Sequence, residues 1–214
     1  LQREGVDVVA RRAGRTGTIV VLLDQRGERT MLTDRGAASQ LDRPDPAWLD
    51  GLSALHIPFY SLLSDPLATT ARTLAGWAHE RGITVSVDAS SAAALREVGI
   101  DAAVDLLTSL PTDVLFCNEL EAAALGDEVV PERFGGRFSV VKHGRAPAVV
   151  HQPGLAPVEV AAVEIGGVTD TTGAGDSFAA GVLVALAAGA SPTDAVAAGH
   201  HTAARYISAA SNLA

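Results

Sequence analysis

The sequence predicts an α/β fold built on one mostly parallel sheet, and three observations carry that prediction. Short runs that are apolar throughout recur along the chain: Ser53 to Ile57, Ile83 to Val87, Val114 to Cys117 and Phe138 to Val141. Helix-like stretches such as Leu67 to Glu80 and Asn118 to Leu125 separate them. The hydrophobic fraction of 48% over 214 residues is enough for one sizeable core. A strand with no polar face is covered on both sides, and parallel strands need a crossover between them, so helices should flank both faces of the sheet.

The elements follow in order. Thr18 to Leu23 and Thr30 to Leu32 flank the turn-forming Asp24-Gln25-Arg26-Gly27, which reads as a β-hairpin. Val6 to Ala10 is expected to join it as a third strand, because a two-stranded ribbon alone is marginal in water. The alternation of strands and helices begins near residue 45. Past the four core strands, Ala148 to Val150 and Val158 to Val163 read as further strands. Ala174 to Ala188 is a long alanine-rich helix with Gly189 placed to cap it, and Pro192 opens a second helix reaching about Ile207.

Composition narrows the function. With 16 basic against 25 acidic side chains the formal net charge is -9, so the average field repels nucleic acid and anionic membranes. A local anion site built from backbone amides is untouched by that count. Cys117 is the only cysteine; it excludes an intrachain disulfide and a multi-thiolate zinc cage, reads as a small core residue, and suits a reducing, cytoplasmic setting. No run of 18 apolar residues occurs and the opening LQREGVDVV lacks a signal-peptide pattern, so a soluble protein is expected. The chain opens on Leu1 rather than Met, from which preceding sequence is expected.

The chemistry concentrates in Asp170-Thr171-Thr172-Gly173-Ala174-Gly175-Asp176-Ser177-Phe178, between an extended segment and the long helix. Small residues at Gly173, Ala174 and Gly175 let a phosphate approach the backbone, where the first amides of a helix lack intrahelical partners. The helix dipole adds an effective charge of about +0.5 there. Position alone leaves Asp176 two readings: a charge that complements the helix end, or a base that takes a proton from a hydroxyl.

The stretch Asp170 to Gly181, DTTGAGDSFAAG, resembles at every position the C-terminal signature of the ribokinase-like (PfkB) carbohydrate kinases. That resemblance implies a ribokinase-like three-layer sandwich with a mostly parallel central sheet and a small β lid. It implies ATP-dependent transfer of phosphate to an alcohol group of a sugar or sugar-like substrate. Asp176 is then the catalytic base and the amides of Gly173, Ala174 and Gly175 the anion hole.

Other segments agree in order. Asn118-Glu119-Leu120-Glu121 is similar to the family's NxxE motif, which implies Asn118 at the nucleotide phosphates and Glu121 on Mg2+ through water. Val140-Val141-Lys142-His143-Gly144 falls where the family has a strand and a glycine turn beside the nucleotide, implying nucleotide contacts from Lys142 and Gly144, with His143 a loop residue. Lys142 is the only lysine of the chain; a solvated strand end is its other reading. Asp170 and Thr172 correspond to positions that hold a monovalent cation, K+, in many relatives; a locally satisfied turn is the alternative. Of His200 and His201 on the last helix, His201 is the one expected against adenine.

Gly17 to Leu32 resembles the lid, and Leu55 to Tyr60 and Val85 to Asp88 match strands that follow it, although Asp88-Ala89-Ser90 departs from the DPN-like sequence usual there. The implied organisation is residues 1–38 as part of the β lid with flanking segments and residues 39–214 as the nucleotide-binding α/β domain. The family's N-terminal part, with the GG/N motif that grips the sugar, does not appear in this sequence. A homodimer through the lid is implied as well. The competing reading is a nucleotide-binding regulatory relative without kinase activity. A Rossmann dehydrogenase fits poorly, since no GxGxxG follows a first strand.

Overall fold

The computed structural model describes residues 5–10, 12, 14–23, 29–126, 129–166 and 171–211. Strands β1 (Thr18–Leu23) and β2 (Arg29–Asp34) pair antiparallel in a sheet of their own, with Val20 opposite Leu32 and Val21 opposite Met31. The turn expected at residues 24–27 lies outside the described residues. Val6 to Ala10 is not a strand: an apolar run becomes one only when a neighbouring edge pairs with it, and none does among the described residues.

The main sheet has six strands in sequence order. β3 (Ala54–Pro58), β4 (Thr84–Asp88), β5 (Val114–Asn118) and β6 (Phe138–His143) run parallel. β7 (Ala146–His151) and β8 (Val158–Val160) complete it antiparallel. The reversal follows from the connection: Gly144 and Arg145 alone join β6 to β7, too short for a crossover, and Gly144 takes the positive φ of 62° that such a tight hairpin needs.

Side-chain alternation along the strands divides the core in two. Ile57, Val85, Val87, Leu115, Cys117 and Val141 face one side, beneath α1 (Leu67–Glu80), α2 (Ala92–Val98), α3 (Ile100–Thr108), α4 (Glu119–Leu125) and α5 (Pro131–Phe134). Val114, Phe116, Phe138, Val140, Ala148 and Val150 face the other, beneath α6 (Ala174–Ala187) and α7 (Pro192–Ser211). Complete burial of side chains such as Phe116 and Phe138 stabilises this three-layer stack by about 1.5–3 kcal/mol each. Cys117 is buried in the first cluster, where its Sγ donates to the Val140 carbonyl at 3.6 Å and burial pushes the thiol pKa up, as a core residue requires.

The second face changes character across the sheet. Where α6 and α7 cover it, on β5 to β8, it is apolar. On β3 and β4 the same face carries His56, Ser86 and Asp88, and the second cluster does not extend over them. No helix among the described residues is long and apolar enough to cross a membrane.

Candidate active site

The carboxyl ends of β4, β5 and β6 and the start of α6 meet at one place. Asp88, Asn118 and Lys142 share the strand parity of Phe116 and Val140, and the register sets Asn118 directly beside Lys142. α6 begins above them from Gly173, whose φ of 80° is left-handed and whose missing Cβ leaves room for the Tyr206 hydroxyl, 2.8 Å from where a Cβ would stand. Asn118, Lys142, Gly144, Ala174, Gly175 and Phe178 line a cavity of about 350 Å³.

The amides of the expected anion hole are not equivalent. Thr171 to Ala174 closes as a turn in which the Ala174 amide donates to the Thr171 carbonyl at 3.1 Å, so this donor is already committed. No carbonyl among the described residues accepts from the Gly175 and Asp176 amides. Of the residues expected to supply the anion hole, Ala174 has its amide taken up within the turn, where the left-handed Gly173 folds the preceding segment back onto the helix start.

Asp176 is exposed in the first turn of α6 and is not among the residues that line the cavity. Its charge favours the protonated imidazole of His56, more weakly than desolvation opposes it. His56, unassigned by the sequence reading, lies edge-on to Phe116 with Nδ1 2.8 Å from Ser86 Oγ. Desolvation there lowers its pKa, outweighing the raising influence of Asp88 and Asp176. The start of α6 thus has Gly175 in the cavity wall and the Asp176 carboxylate exposed outside that wall.

Asn118 caps α4: its side chain accepts from the Glu121 amide at 2.9 Å, and the Glu121 carboxylate accepts from the Asn118 backbone amide at 2.8 Å and from Asn118 Nδ2 at 2.9 Å. Glu121 is 4% exposed, and burial raises its pKa against the pull of those hydrogen bonds. Each carboxylate oxygen accepts one hydrogen bond within the cap. An amide and a carboxylate are hard oxygen donors of the kind that suit Mg2+, an ion that keeps several of its waters and takes the rest of its ligands from phosphates.

The two histidines on α7 line different depressions. His200 is 8% exposed, lines the cavity, and stands edge-on to Phe178 with centroids 5.0 Å apart; burial lowers its pKa and its Nε2 has no hydrogen-bond partner. His201, the residue expected against adenine, is exposed on a separate open depression beside Ser177 and Arg205. Successive helical residues point about 100° apart, so only one of an adjacent pair can face a given pocket. Arg145, not singled out in the sequence, adds a second cationic residue to the cavity wall through its place in the β6–β7 turn. Thr172 is exposed. Asp170 lies outside the described residues.

An open α/β sheet with polar groups at its strand ends, facing the start of a helix, is the arrangement in which proteins of this class place ligands, at the carboxyl edge of the sheet. Comparison with known proteins supplies the family. Residues 1–211 match the family described as pfkB family carbohydrate kinase, and the chain belongs to it. It is 35% identical over 187 residues to an ATP-dependent ribose-1-phosphate kinase from Halopiger xanaduensis, covering 84% of this chain and 57% of that one. Among solved structures it is similar to a probable sugar kinase from Rhizobium etli, with a TM-score of 0.81, 26% identity and 97% of this chain covering 66% of that one. It is also similar to an adenosine kinase from Sinorhizobium meliloti, with a TM-score of 0.76, 26% identity and 90% of this chain covering 61% of that one. The chain therefore spans somewhat over half the length of these relatives, and the ribokinase-like three-layer fold expected from the sequence is the fold observed.

Proposed function

We propose that the protein containing this chain transfers the γ-phosphoryl group of ATP to an alcohol group of a sugar or sugar-like substrate. The observation that carries the reading is the start of α6, where no carbonyl among the described residues accepts from the Gly175 and Asp176 amides and where Gly175 lines the cavity while the Asp176 side chain is exposed. ATP occupies the cavity with its phosphates toward Asn118, Lys142 and Gly175. The acceptor lies on the open side, against the exposed half of the sheet. Asp176 takes the proton of the attacking hydroxyl as the new P–O bond forms and the bond to ADP breaks, and the α6 amides hold the phosphoryl oxygens. Asn118 and Glu121 would steady, through water, a Mg2+ ion carried by the nucleotide, which would supply neutralisation of phosphate charge. K+ at Asp170 and Thr172 is part of the proposal, read as a potassium dependence of turnover.

The relatives act on ribose 1-phosphate, on sugars and on adenosine by their names, so the acceptor panel should include pentoses, hexoses, their phosphates and nucleosides. ADP release by the complete gene product, coupled to a reporter, is expected to depend on one of these acceptors. Calorimetric binding of ATP with no acceptor-dependent release would instead identify a regulatory nucleotide binder.

The hairpin supports a homodimer in the reducing, cytoplasmic setting that Cys117 suits. Ile19, Val21 and Met31 share one of its faces and Val20, Leu22 and Leu32 the other, each 46–58% exposed. A ribbon apolar on both faces needs a partner surface. Replacing Val21 and Met31 with Glu is expected to halve the mass found by light scattering; an unchanged mass would remove the lid from the interface.

A further inference from the structure

Lys142 stands where a cation is least expected. Its Nζ is 3.6 Å from the position a Cβ on Gly175 would occupy, so the ammonium abuts the first turn of α6, the positive end of that helix dipole. The counter-charge comes from β4: Asp88 Oδ2 accepts from Nζ at 2.7 Å, with the two side chains only 15% and 17% exposed. Such a shielded pair contributes little net stability, because losing solvation offsets much of the Coulomb attraction. It does fix a position. Asp88 is itself anchored, since Oδ1 accepts from the Ser90 amide at 2.8 Å and its carbonyl accepts from Ser90 Oγ at 2.8 Å, with Ser90 held at a left-handed φ of 59°.

We propose that Asp88 is a positioning residue, which holds the Lys142 ammonium at the mouth of the anion site so that it meets the transferring phosphoryl group. The inference rests on the phosphotransferase reading above. An ammonium has three N–H donors; Asp88 takes one, which leaves two for a ligand in the cavity that Lys142 lines beside Asn118 and Gly175. Without the carboxylate, the flexible lysine stem and repulsion from the helix end would carry the charge away from the site. With it, the charge is in place before negative charge develops, which is the condition for electrostatic stabilisation of a transition state.

The test is a double-mutant cycle in the complete gene product, reading kcat, both KM values and the affinities for a non-hydrolysable triphosphate analogue and for AMP. Lys142→Met is expected to lower kcat about 100-fold, as loss of an anion-stabilising donor does, and to weaken the triphosphate analogue but not AMP. Asp88→Asn should lower kcat about 10-fold with less than about a threefold change in KM for ATP. The double variant should be no slower than Lys142→Met, because Asp88 acts through the lysine. Asp88→Glu, which keeps the carboxylate, should recover part of the loss and serves where Asp88→Asn does not fold. Losses that multiply in the double variant, or a raised acceptor KM at parental kcat in Asp88→Asn, would overturn the proposal by placing Asp88 on the acceptor itself. Asp176→Asn separates the two levels: parental turnover in that variant sinks the phosphotransferase reading. Its loss of turnover, with Asp88→Asn and Lys142→Met unaffected, leaves that reading standing and sinks this one.

Discussion

Asp176→Asn is expected to lower kcat about 1,000-fold, the middle of the range for loss of a positioned general base, while KM for ATP changes little. Asparagine has the same shape and still presents a polar group at the start of α6, so the helix and the Gly175 amide should persist. What it lacks is the capacity to take a proton from the attacking hydroxyl. The side chain is exposed and lies outside the enclosed cavity, so nucleotide affinity, measured by calorimetry, should stay near the parental value. Acceptor-dependent ADP release at the parental rate would show that the proton leaves by another route. His56, exposed on the uncovered part of the sheet beside Ser86, would then be the next candidate.

The second large effect concerns the scaffold that holds this site. A Cβ on Gly199 would stand 2.6 Å from Val182 Cγ2 and 2.9 Å from the Phe178 carbonyl oxygen, and one on Gly181 would stand 2.5 Å from Thr202 Oγ1. Glycine inside a helix costs about 1 kcal/mol relative to alanine, so local propensity argues against both residues. Close contact of α6 with α7 is the reason they are tolerated. Gly199→Ala is therefore expected to destabilise by about 1–3 kcal/mol net of the propensity gain, because backbone at Phe178 cannot yield as a side-chain tip can. Urea unfolding measures this directly, and a midpoint at or above the parent's would mean that the helices are not in such contact. Since Phe178 lies two residues past Asp176, a displaced α6 should lower kcat as well.

These expectations draw on different depths of information. The helix over Leu67–Glu80 and the starts of α6 and α7 are readable locally, from apolar periodicity, a glycine bend and Pro192. Most strands are readable to within a residue or two because each is an apolar run bounded by turn-formers; β8 ends at Val160, three residues short of the expected Val163, and Val6 to Ala10 forms no strand. α2 and α3 are not, being 7 and 9 residues long, too short for a clear period, and joined only by Gly99. The choice between His200 and His201 is equally out of reach, since it depends on the rotation of α7 against Phe178 rather than on either residue.

By itself the sequence determined the α/β class, the family and the place of the glycine bend that opens α6, because each is written in residues that are neighbours along the chain. Only the tertiary structure decided that Ala174 spends its amide on Thr171, that Glu121 is enclosed in the cap of α4, and that Lys142 is held by Asp88 from 54 positions away. Those outcomes depend on which strand ends the sheet register brings together and how closely α6 lies over them, and no local pattern of residues encodes a distance between elements.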